Sequence, residues 1–585
     1  MYNRFVSNAE IAQVLEQIAL ILELKGNENP FRVRAYERAA ANIYNLSGKL
    51  RDVYDKGGNK ALQALPGIGK DLAEKIEEML KTGKLKYLKE IEKSIPPGLL
   101  EIMDIEGMGP KRTKELWEEF YVQSLKGLKK LAESEDLRTR KGWGEKSAEN
   151  ILRGIEQHSK VSGRLPIPEA APLVAEIIAA LKKSGHCKQI AVAGSFRRSR
   201  DTVGDIDILA TSKKPEAVMD VFCSLPQVDS VTVKGSTKST VFLRAGLDAD
   251  LRVVEDDAFG AALLYFTGSK AHNIAIRRLG IKKKLTLSEY GLYKGSAKKK
   301  GAQVAARTEE EVYKAIGLPF IPPELREDQG EIEAAQKKKL PKLVELKDVC
   351  SDLHMHSLFS DGRHSMTEMA RGAKRRGLKY IAITDHASPM GMVNGIQKTK
   401  KSMQSYLKKI EEARKAVPDI HILAGVEVDI LKDGSLYLPD DLLKEFDWVV
   451  AAVHQYFHET PADTTERLIK AIQNPHVHLI GHPTARLLGK RAGIEFDMEA
   501  VLKAAKKYGV AMEINTGHDR LDLNAAHLKQ AKKIGVDICI SSDAHTPQGL
   551  EYSFGIAQAR RGWLEKKDIV NMKPWKEFEK WRKRR

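Results

Sequence analysis

Between Gly194 and Asp207 the chain reads Gly-Ser-Phe-Arg-Arg-Ser-Arg-Asp-Thr-Val-Gly-Asp-Ile-Asp. This run joins residues suited to a phosphate with residues suited to a cation. Gly194 and Gly204 let a backbone approach closely, while Ser195 and Arg198 can donate hydrogen bonds to phosphate oxygens. Short apolar strands are predicted on either side, over Gln189–Ala193 and Ile206–Ala210, with the glycines and arginines at the bend. Asp205 and Asp207 stand two apart, so their carboxylates share one face of a strand. The alternating run Asp248–Val254 supplies a third carboxylate from a neighbouring strand. Two divalent metals held by three aspartates would stabilise an in-line attack on phosphorus. A bare Asp-x-Asp is ordinarily a solvated strand end, and the Gly-Ser and arginine-rich lead-in sets this one apart.

A second chemistry is written into the other end of the chain, where thirteen of the sixteen histidines follow residue 350. From Cys350 onward, strand-like and helix-like runs alternate. Seven strand ends read Asp352-Leu353-His354-Met355-His356, Ile383-Thr384-Asp385-His386, Gly425-Val426-Glu427, Ala452-Val453-His454, Ile480-Gly481-His482, Met512-Glu513-Ile514-Asn515 and Ser542-Asp543-Ala544-His545. Seven β/α units predict a barrel, and residues at the C-terminal ends of its strands stand where barrel enzymes keep their chemistry. One histidine at a strand end is usually structural, but imidazoles and carboxylates repeated in that register point to metal. Their mixed nitrogen and oxygen donors suit Mn²⁺, Zn²⁺ or Fe²⁺. His364, His421, His458, His476, His478, His518 and His527 are read as solvated or core side chains.

These sites need a scaffold, and 585 residues suffice for about four ordinary domains. The net charge of +18 favours a polyanionic partner. No apolar run approaches membrane-spanning length, so nucleic acid is the expected partner and no membrane is. The N-terminal stretch, with Glu10, Glu16 and Glu23, does not resemble a signal peptide, and a cytoplasmic protein is expected. Cys187, Cys223, Cys350 and Cys539 are too scattered for a zinc knuckle or disulfide framework and read as buried thiols. Ile11, Leu15, Ile18 and Leu22 recur at helical spacing, and a second helix with a basic face follows through Arg32, Arg34 and Arg38. Three similar segments come next: Leu65-Pro66-Gly67-Ile68-Gly69-Lys70, Ile105-Glu106-Gly107-Met108-Gly109-Pro110-Lys111 and Lys141-Gly142-Trp143-Gly144-Glu145-Lys146. Each places Gly-x-Gly ahead of an amphipathic helix, so that backbone N–H groups at the helix start can face a DNA phosphate. They read as helix-hairpin-helix units gripping the DNA backbone through Gly67, Gly69, Gly107, Gly109, Gly142 and Gly144. Lys282–Lys284 and Lys298–Lys300 are basic runs near template or solvent. The proline- and lysine-bearing stretch 318–345 reads as a linker. The terminal run Lys573–Arg585 reads as a short basic helix with one aromatic face.

The Gly194–Asp207 stretch, with Tyr265-Phe266-Thr267-Gly268-Ser269, Asn273 and Arg277, resembles the nucleotidyltransferase palm and nucleotide-binding helix of family X DNA polymerases. The resemblance implies that Arg164, Gly194, Ser195, Arg198 and Gly204 cradle a dNTP triphosphate. It implies that Tyr265, Phe266, Gly268, Asn273 and Arg277 meet the nucleotide and template. Asp205 and Asp207 would hold two Mg²⁺ or Mn²⁺ ions, with Asp250 joining one and helping to deprotonate the primer 3′-OH. Val203 departs from the family, where a serine often contacts phosphate. Lys75 aligns with the lysine that some members use as a 5′-sugar-phosphate lyase, but Asp71 stands where lyase-active relatives carry a basic residue.

The C-terminal half resembles the PHP (polymerase and histidinol phosphatase) domain, which carries a trinuclear metal site. Carried over by position, His354, His356, Glu427 and Asp543 would hold one ion. Asp361, His386 and His545 would hold a second, and Glu427, His454 and His482 a third. Asp361 replaces the histidine of phosphatase-type members, as in polymerase-linked PHP domains. Up to three Mn²⁺ or Zn²⁺ ions are implied. The expected fold is multidomain, α+β and α/β. It comprises helical hairpin-rich domains over 1–90 and 91–163, a palm over 164–260, a thumb-like domain over 261–317, a linker over 318–345 and a (β/α)7 PHP barrel over 346–585. The implied function is a monomeric polymerase filling short gaps in primer-template DNA during repair, with a barrel acting as a 3′-5′ exonuclease. Cleavage at abasic sites and 3′-phosphate removal are related chemistries. The competing expectation is a barrel whose metals serve only as a structural scaffold.

Overall fold

The computed structural model describes residues 8–26, 30–44, 50–65, 67–96, 98–103, 105, 108–140, 142–145, 147–149, 151–152, 155, 164–296, 299–389, 395–457, 459–488 and 493–583. Pro66, Glu106, Gly107, Lys141, Lys146, Lys298, His458, Arg584 and Arg585 lie outside the described residues. The chain divides into two compact units, one of residues 1–163, 242–247 and 268–305 and the other of residues 164–241, 248–267 and 306–585.

The first unit is mainly helical. Helix Asn8–Lys25 packs on helix Pro30–Tyr44 because Ile11, Leu15, Ile18 and Leu22, three or four apart, form one buried stripe against Tyr36, Ala39, Ala40 and Ile43. The hairpin turns feed helices Lys70–Thr82 and Pro110–Phe120. The same unit carries helix Lys270–Lys282 and an antiparallel sheet of strands Leu285–Ser288, Gly291–Ser296 and Lys299–Ala305.

A five-stranded sheet, all but residues 242 and 243 of which belong to the second unit, has the order Gln189–Val192, Asp205–Thr211, Asp248–Val254, Lys238–Leu243, Val228–Lys234. The first pair is antiparallel and the second parallel. The barrel follows in the same unit. Its strands run in the order Ser351–Asp352, Tyr380–Ile383, His421–Asp429, Trp448–Ala452, Leu479–Ile480, Ala511–Asn515, Ile538–Ser541. All the pairings along this path are parallel, and a parallel bridge between Met355 and Ala544 ties its two ends. Inside, Tyr380, Ala382, Leu423, Trp448, Val450, Leu479, Ala511 and Cys539 form a plug. Helix Trp575–Arg582 closes the end at which the strands begin. Its buried Phe578 stacks 4.8 Å from the Tyr380 ring, with Trp581 alongside. Chemistry is therefore confined to the opposite mouth.

The stretch 318–345, expected as a linker, is packed. Its prolines and lysines alternate with Leu318, Ile321, Leu325, Ile332 and Ala335, all buried, and this apolar spacing makes it core. Arg326, with no exposed side-chain surface, bonds the Glu309 carboxylate at 2.5 Å and the Ile321 carbonyl at 2.8 Å. Its guanidinium lies 5.2 Å from the rings of both Tyr313 and Phe320. Arg197 grips the other side of Glu309 at 2.6 Å and 2.9 Å. Burial pushes the Glu309 carboxyl up, but the bonds and charges of Arg197 and Arg326 outweigh it and hold the group below the usual glutamate range.

Removing Glu309 strands a buried guanidinium, so Glu309→Ala is expected to cost the second unit about 3–5 kcal/mol. The depressed carboxyl contributes stability that is present above the ordinary glutamate pKa and lost as pH falls through the lowered one. Urea midpoints for the second unit should therefore differ widely between wild type and Glu309→Ala at neutral pH and converge in acid. A constant gap at all pH values would show that the carboxylate charge is not the source.

Candidate active sites

The strand register builds the first site. Asp207 lies directly opposite Asp250 on the adjacent parallel strand, and Asp205 opposite Asp248. Gly194 approaches so closely that an added Cβ would lie 2.1 Å from Asp207 Oδ2, and its φ of +60° suits glycine alone. The backbone N–H of Ala193 donates to the Asp207 carbonyl at 2.8 Å, pinning the turn to the strand. Burial, with Asp205 and Asp250 beside it, pushes the Asp207 carboxyl up to about 7. Such a cluster is short of positive charge, and divalent cations would supply it. Asp250 is partly compensated by the Thr240 hydroxyl at 2.5 Å and by Lys238 at 3.4 Å.

The turn itself is cationic. Burial and the neighbouring guanidiniums of Arg200 and Arg198 pull Arg164 below its ordinary value, which is the situation an incoming polyanion relieves. Arg164 is oriented by the Thr202 hydroxyl at 2.7 Å. The Ser195 Oγ is buried with no hydrogen-bond partner. Arg198 is engaged by Glu327 at 3.0 Å and by the Thr267 carbonyl at 2.5 Å, a contact from the 318–345 stretch that no motif signalled. Phe266 lies beneath Arg252 at 4.6 Å and edge-on to Tyr265 at 5.0 Å. Phe266 also packs on the sheet with Leu209 and Phe259. Gly268, with φ of +69°, Asn273 and Arg277 belong to the first unit, the latter two on helix Lys270–Lys282.

Also in the first unit, Gly69 and Gly109 are the N-caps of helices Lys70–Thr82 and Pro110–Phe120, with no side chain bonded to the first amides. Gly67, Gly142 and Gly144 adopt φ of +75°, +92° and +77°. Lys75 is paired with Asp71 and lies 4.8 Å from the Tyr87 ring centre. A Schiff-base nucleophile needs a free amine, and this one is engaged.

The second site is centred on Glu427, buried at the end of strand His421–Asp429. Five imidazoles reach it: His386 at 2.8 Å, His482 at 3.0 Å, His454 at 3.2 Å, His354 at 3.4 Å and His356 at 3.6 Å. Asp543 lies 3.0 Å from His356, and Asp361 lies 3.1 Å from His545 and 3.6 Å from His386. Three sets place ligand atoms within 4.8 Å of one another: His356, Asp361, His386 and His545; His354, His356 and Asp543; His386, Glu427 and His454. Eight of the nine residues expected to be ligands fall in these sets, and the ninth, His482, lies 3.0 Å from Glu427. His356 and His386 each fall in two of the sets, and Glu427 in one.

The donor set fits metal. His354 Nε2, His356 Nδ1 and His482 Nδ1 are buried without hydrogen-bond partners, and His356 Nε2 and Glu427 Oε2 face only other members of the cluster. Burial drives the Glu427 and Asp543 carboxyls up, yet the surrounding histidines hold both well below the usual range. Burial and the Arg520 charge take His482 down to about 4, whereas Glu427 and Asp429 overcome burial and raise His454 to about 9. Protons thus do in part what cations would do. A cavity of about 210 Å³ opens over the cluster, with Ser388 and Arg520 on its wall.

Several supporting residues carried no sequence signal of their role. Glu513 bonds His354 Nδ1 and Asp429 bonds His454 Nδ1, each at 2.7 Å, fixing which nitrogen faces the cluster. Asp352 and Asp385 are buried on the serines Ser542, Ser357 and Ser360, orienting the loops. Both stand in the strand-end runs, Asp385 next to His386 and Asp352 two residues before His354, and only their serine partners mark them as supports. Arg520 follows the strands in a loop with no motif. His478 stacks on Trp448 at 5.0 Å, and His421 on Trp575 at 4.3 Å.

Comparison with known proteins gives matches along the chain. The DNA polymerase beta palm family matches residues 164–282, and the DNA polymerase beta thumb matches 262–327. A helix-hairpin-helix domain matches 6–85, a SAM-like helix-hairpin-helix tandem 99–157 and the PHP domain 352–517. A DNA polymerase/3′-5′ exonuclease PolX from Bacillus subtilis is 36% identical over 578 residues, covering 98% of this chain and 99% of that protein. DNA polymerase lambda of Rattus norvegicus is 28% identical over 348 residues, 55% of this chain and 56% of its own. A Thermoanaerobacter protein named Probable phosphatase is 35% identical over 206 residues, 33% of this chain and 78% of its own. With palm, thumb, hairpin and barrel matched in order, and a relative aligned over nearly the full length, the chain belongs to the family X DNA polymerases that carry a C-terminal PHP domain.

Proposed function

We propose that this chain fills short gaps in DNA during repair and trims primer ends with its barrel, acting as a monomer in the cytoplasm. The observation that carries the reading is the presence in one chain of two separate ligand clusters, each made of orphaned or mutually repelling groups that only cations and phosphate satisfy.

In the palm, Asp205, Asp207 and Asp250 would hold Mg²⁺ or Mn²⁺. When bound, these ions neutralise charge on the transferring phosphoryl group and lower the pKa of a coordinated oxygen acid. The Ser195 hydroxyl and the Arg164 and Arg198 guanidiniums bind the triphosphate. Gly194 and Gly204 let the turn close on it, and Asp250 accepts the proton of the primer 3′-OH. Tyr265, Phe266, Gly268, Asn273 and Arg277 position the nucleotide and template. The hairpin glycines Gly67, Gly69, Gly107, Gly109, Gly142 and Gly144 present amides to DNA phosphates, with no base readout. The domain limits are 1–90, 91–163, 164–260, 261–317 and 346–585. Sugar-phosphate excision by Lys75 would first require its release from Asp71.

In the barrel, His354, His356, Asp361, His386, Glu427, His454, His482, Asp543 and His545 would hold up to three Mn²⁺ or Zn²⁺ ions. Their neutral imidazoles and carboxylates leave the mouth open to a phosphodiester. Arg520 offers the substrate phosphate a counter-charge, and hydrolysis of the terminal phosphodiester releases a nucleotide from the 3′ end. Abasic-site cleavage or 3′-phosphate removal would use the same cluster.

The test is a labelled primer on a one-nucleotide gap with a 5′-phosphate, incubated in Mn²⁺ with and without dNTPs. Extension should disappear only in Asp205→Ala/Asp207→Ala, and shortening only in His354→Ala. A wild type that extends but never shortens any primer end would reduce the barrel to a scaffold. A second expectation concerns the groups behind the ligands. Because Glu513 fixes His354, Glu513→Gln should weaken Mn²⁺ binding to the barrel about 10–100-fold. Calorimetric titration on an Asp205→Ala/Asp207→Ala background would read this, and unchanged affinity would mean that Glu513 is only structural.

A further inference from the structure

Asp201 lies at the outer edge of the nucleotide turn, between Arg200 and the short strand Thr202–Val203 that pairs with Leu165–Pro166. Its backbone carbonyl accepts the N–H of Ile167 at 3.0 Å. Its carboxylate is not spent on the arginines of its own turn. It is taken by three side chains of the barrel half. Arg561 Nη1 and Gln558 Nε2 donate to Oδ1 at 2.7 Å and 2.6 Å, and Arg486 Nη1 donates to Oδ2 at 2.8 Å. Gln558 and Arg561 stand three apart on helix Ser553–Arg561 and so share one face. The contact is largely closed to water, with Asp201 21%, Arg486 14% and Arg561 8% exposed. Burial raises the Asp201 carboxyl, but the two guanidiniums outweigh it and keep the group below the usual aspartate range.

Arg486 has a second grip. Its Nε donates to the Arg520 carbonyl at 2.9 Å and its Nη2 to the Leu521 carbonyl. That is the loop from which Arg520 reaches the wall of the metal cavity. One guanidinium thus holds the rim of the nucleotide turn and the rim of the barrel mouth.

The turn needs such a hold. Arg164, Arg198 and Arg200 crowd one another, and Asp201 is the one acidic residue between Gly194 and Gly204. Left unanchored, its carboxylate would fold inward onto Arg198 or Arg200 and compete with a triphosphate for them. Drawn outward by a stronger pair of buried cations, it leaves the inner side of the turn to phosphate.

We infer that Asp201, Arg561, Gln558 and Arg486 are positioning residues of the nucleotide site, by which the barrel half sets the shape of the triphosphate-binding turn, and that Arg486 ties this turn to the barrel mouth. The inference rests on the polymerase reading of the palm. It assigns the C-terminal half a part in dNTP binding that is independent of its own hydrolytic chemistry.

Single-nucleotide insertion on gapped DNA, followed as kcat and KM for dNTP, tests it on the full chain, with primer shortening measured in parallel. Asp201→Asn and Arg561→Met should raise the dNTP KM about tenfold, the range of a coupled buried network, with kcat changed far less. The double variant should be no worse than Asp201→Asn alone, because both remove one interaction. Primer shortening should be unaltered in both, which also reports that the second unit is folded. Gln558→Leu, removing one neutral bond, should give a smaller rise in KM and serves where a charge variant fails to fold. Arg486→Met should alter both the dNTP KM and the shortening rate. A dNTP KM within twofold of wild type in Asp201→Asn and Gln558→Leu would overturn the inference and leave the polymerase reading intact. A wild type that inserts no nucleotide would overturn that reading, and the inference with it.

Discussion

A buried carboxylate is tolerable only where its charge is met at close range, and Glu427 sets that requirement for the whole barrel. It sits on a central strand, buried at the base of the cavity, with five imidazoles within reach. Parallel strands alone can deliver such a ring, because each contributes its last residues to the same mouth. The rest follows from protecting that arrangement. The opposite end is plugged by Trp448 and Tyr380 and closed by Phe578. The outward ring nitrogens of His354 and His454 are fixed by Glu513 and Asp429.

The palm answers the same electrostatic problem with a different geometry. Three aspartates gathered by strand register repel one another, and the repulsion is visible in Asp207, driven up to about 7. Beside it the arginines of the turn repel in the opposite sense. Neither group is satisfied by the protein alone, and a metal–triphosphate complex carries the complement to both. Arg197 is locked on Glu309, and Arg198 is held in part by Glu327. The network around Glu309 and Arg326 therefore fixes the back of the turn, and the Asp201 contacts its outer edge.

Much of this was legible in the sequence where chemistry and backbone period coincide. Asp205 and Asp207 two apart, with Asp250 in an alternating run, required only a parallel neighbour to form a cluster. The histidines announced a barrel mouth because they recur at strand ends. What was not legible depends on contacts distant in sequence. Arg326 and Glu309 look like solvated charges until Tyr313 and Phe320 enclose them, and Asp201 meets Gln558 and Arg561 at separations of 357 and 360 residues. The stretch 318–345 has the prolines and lysines of a linker, and its apolar residues Ile321, Leu325 and Ile332 were outweighed by that composition. Glu513 and Asp429 are of the same residue types as the ligands, so only geometry separates a residue that binds from one that orients.

A barrel mouth that is a metal centre distinct from the palm must hold metal whether or not the palm does. Anomalous X-ray scattering at the manganese edge, from crystals of the whole protein equilibrated with Mn²⁺, tests it most directly. Density is expected at the Asp205, Asp207 and Asp250 cluster when a nucleotide is bound, and separate density around Glu427 whether or not nucleotide is present. Manganese in the palm with none around Glu427, at concentrations that support extension, would contradict it.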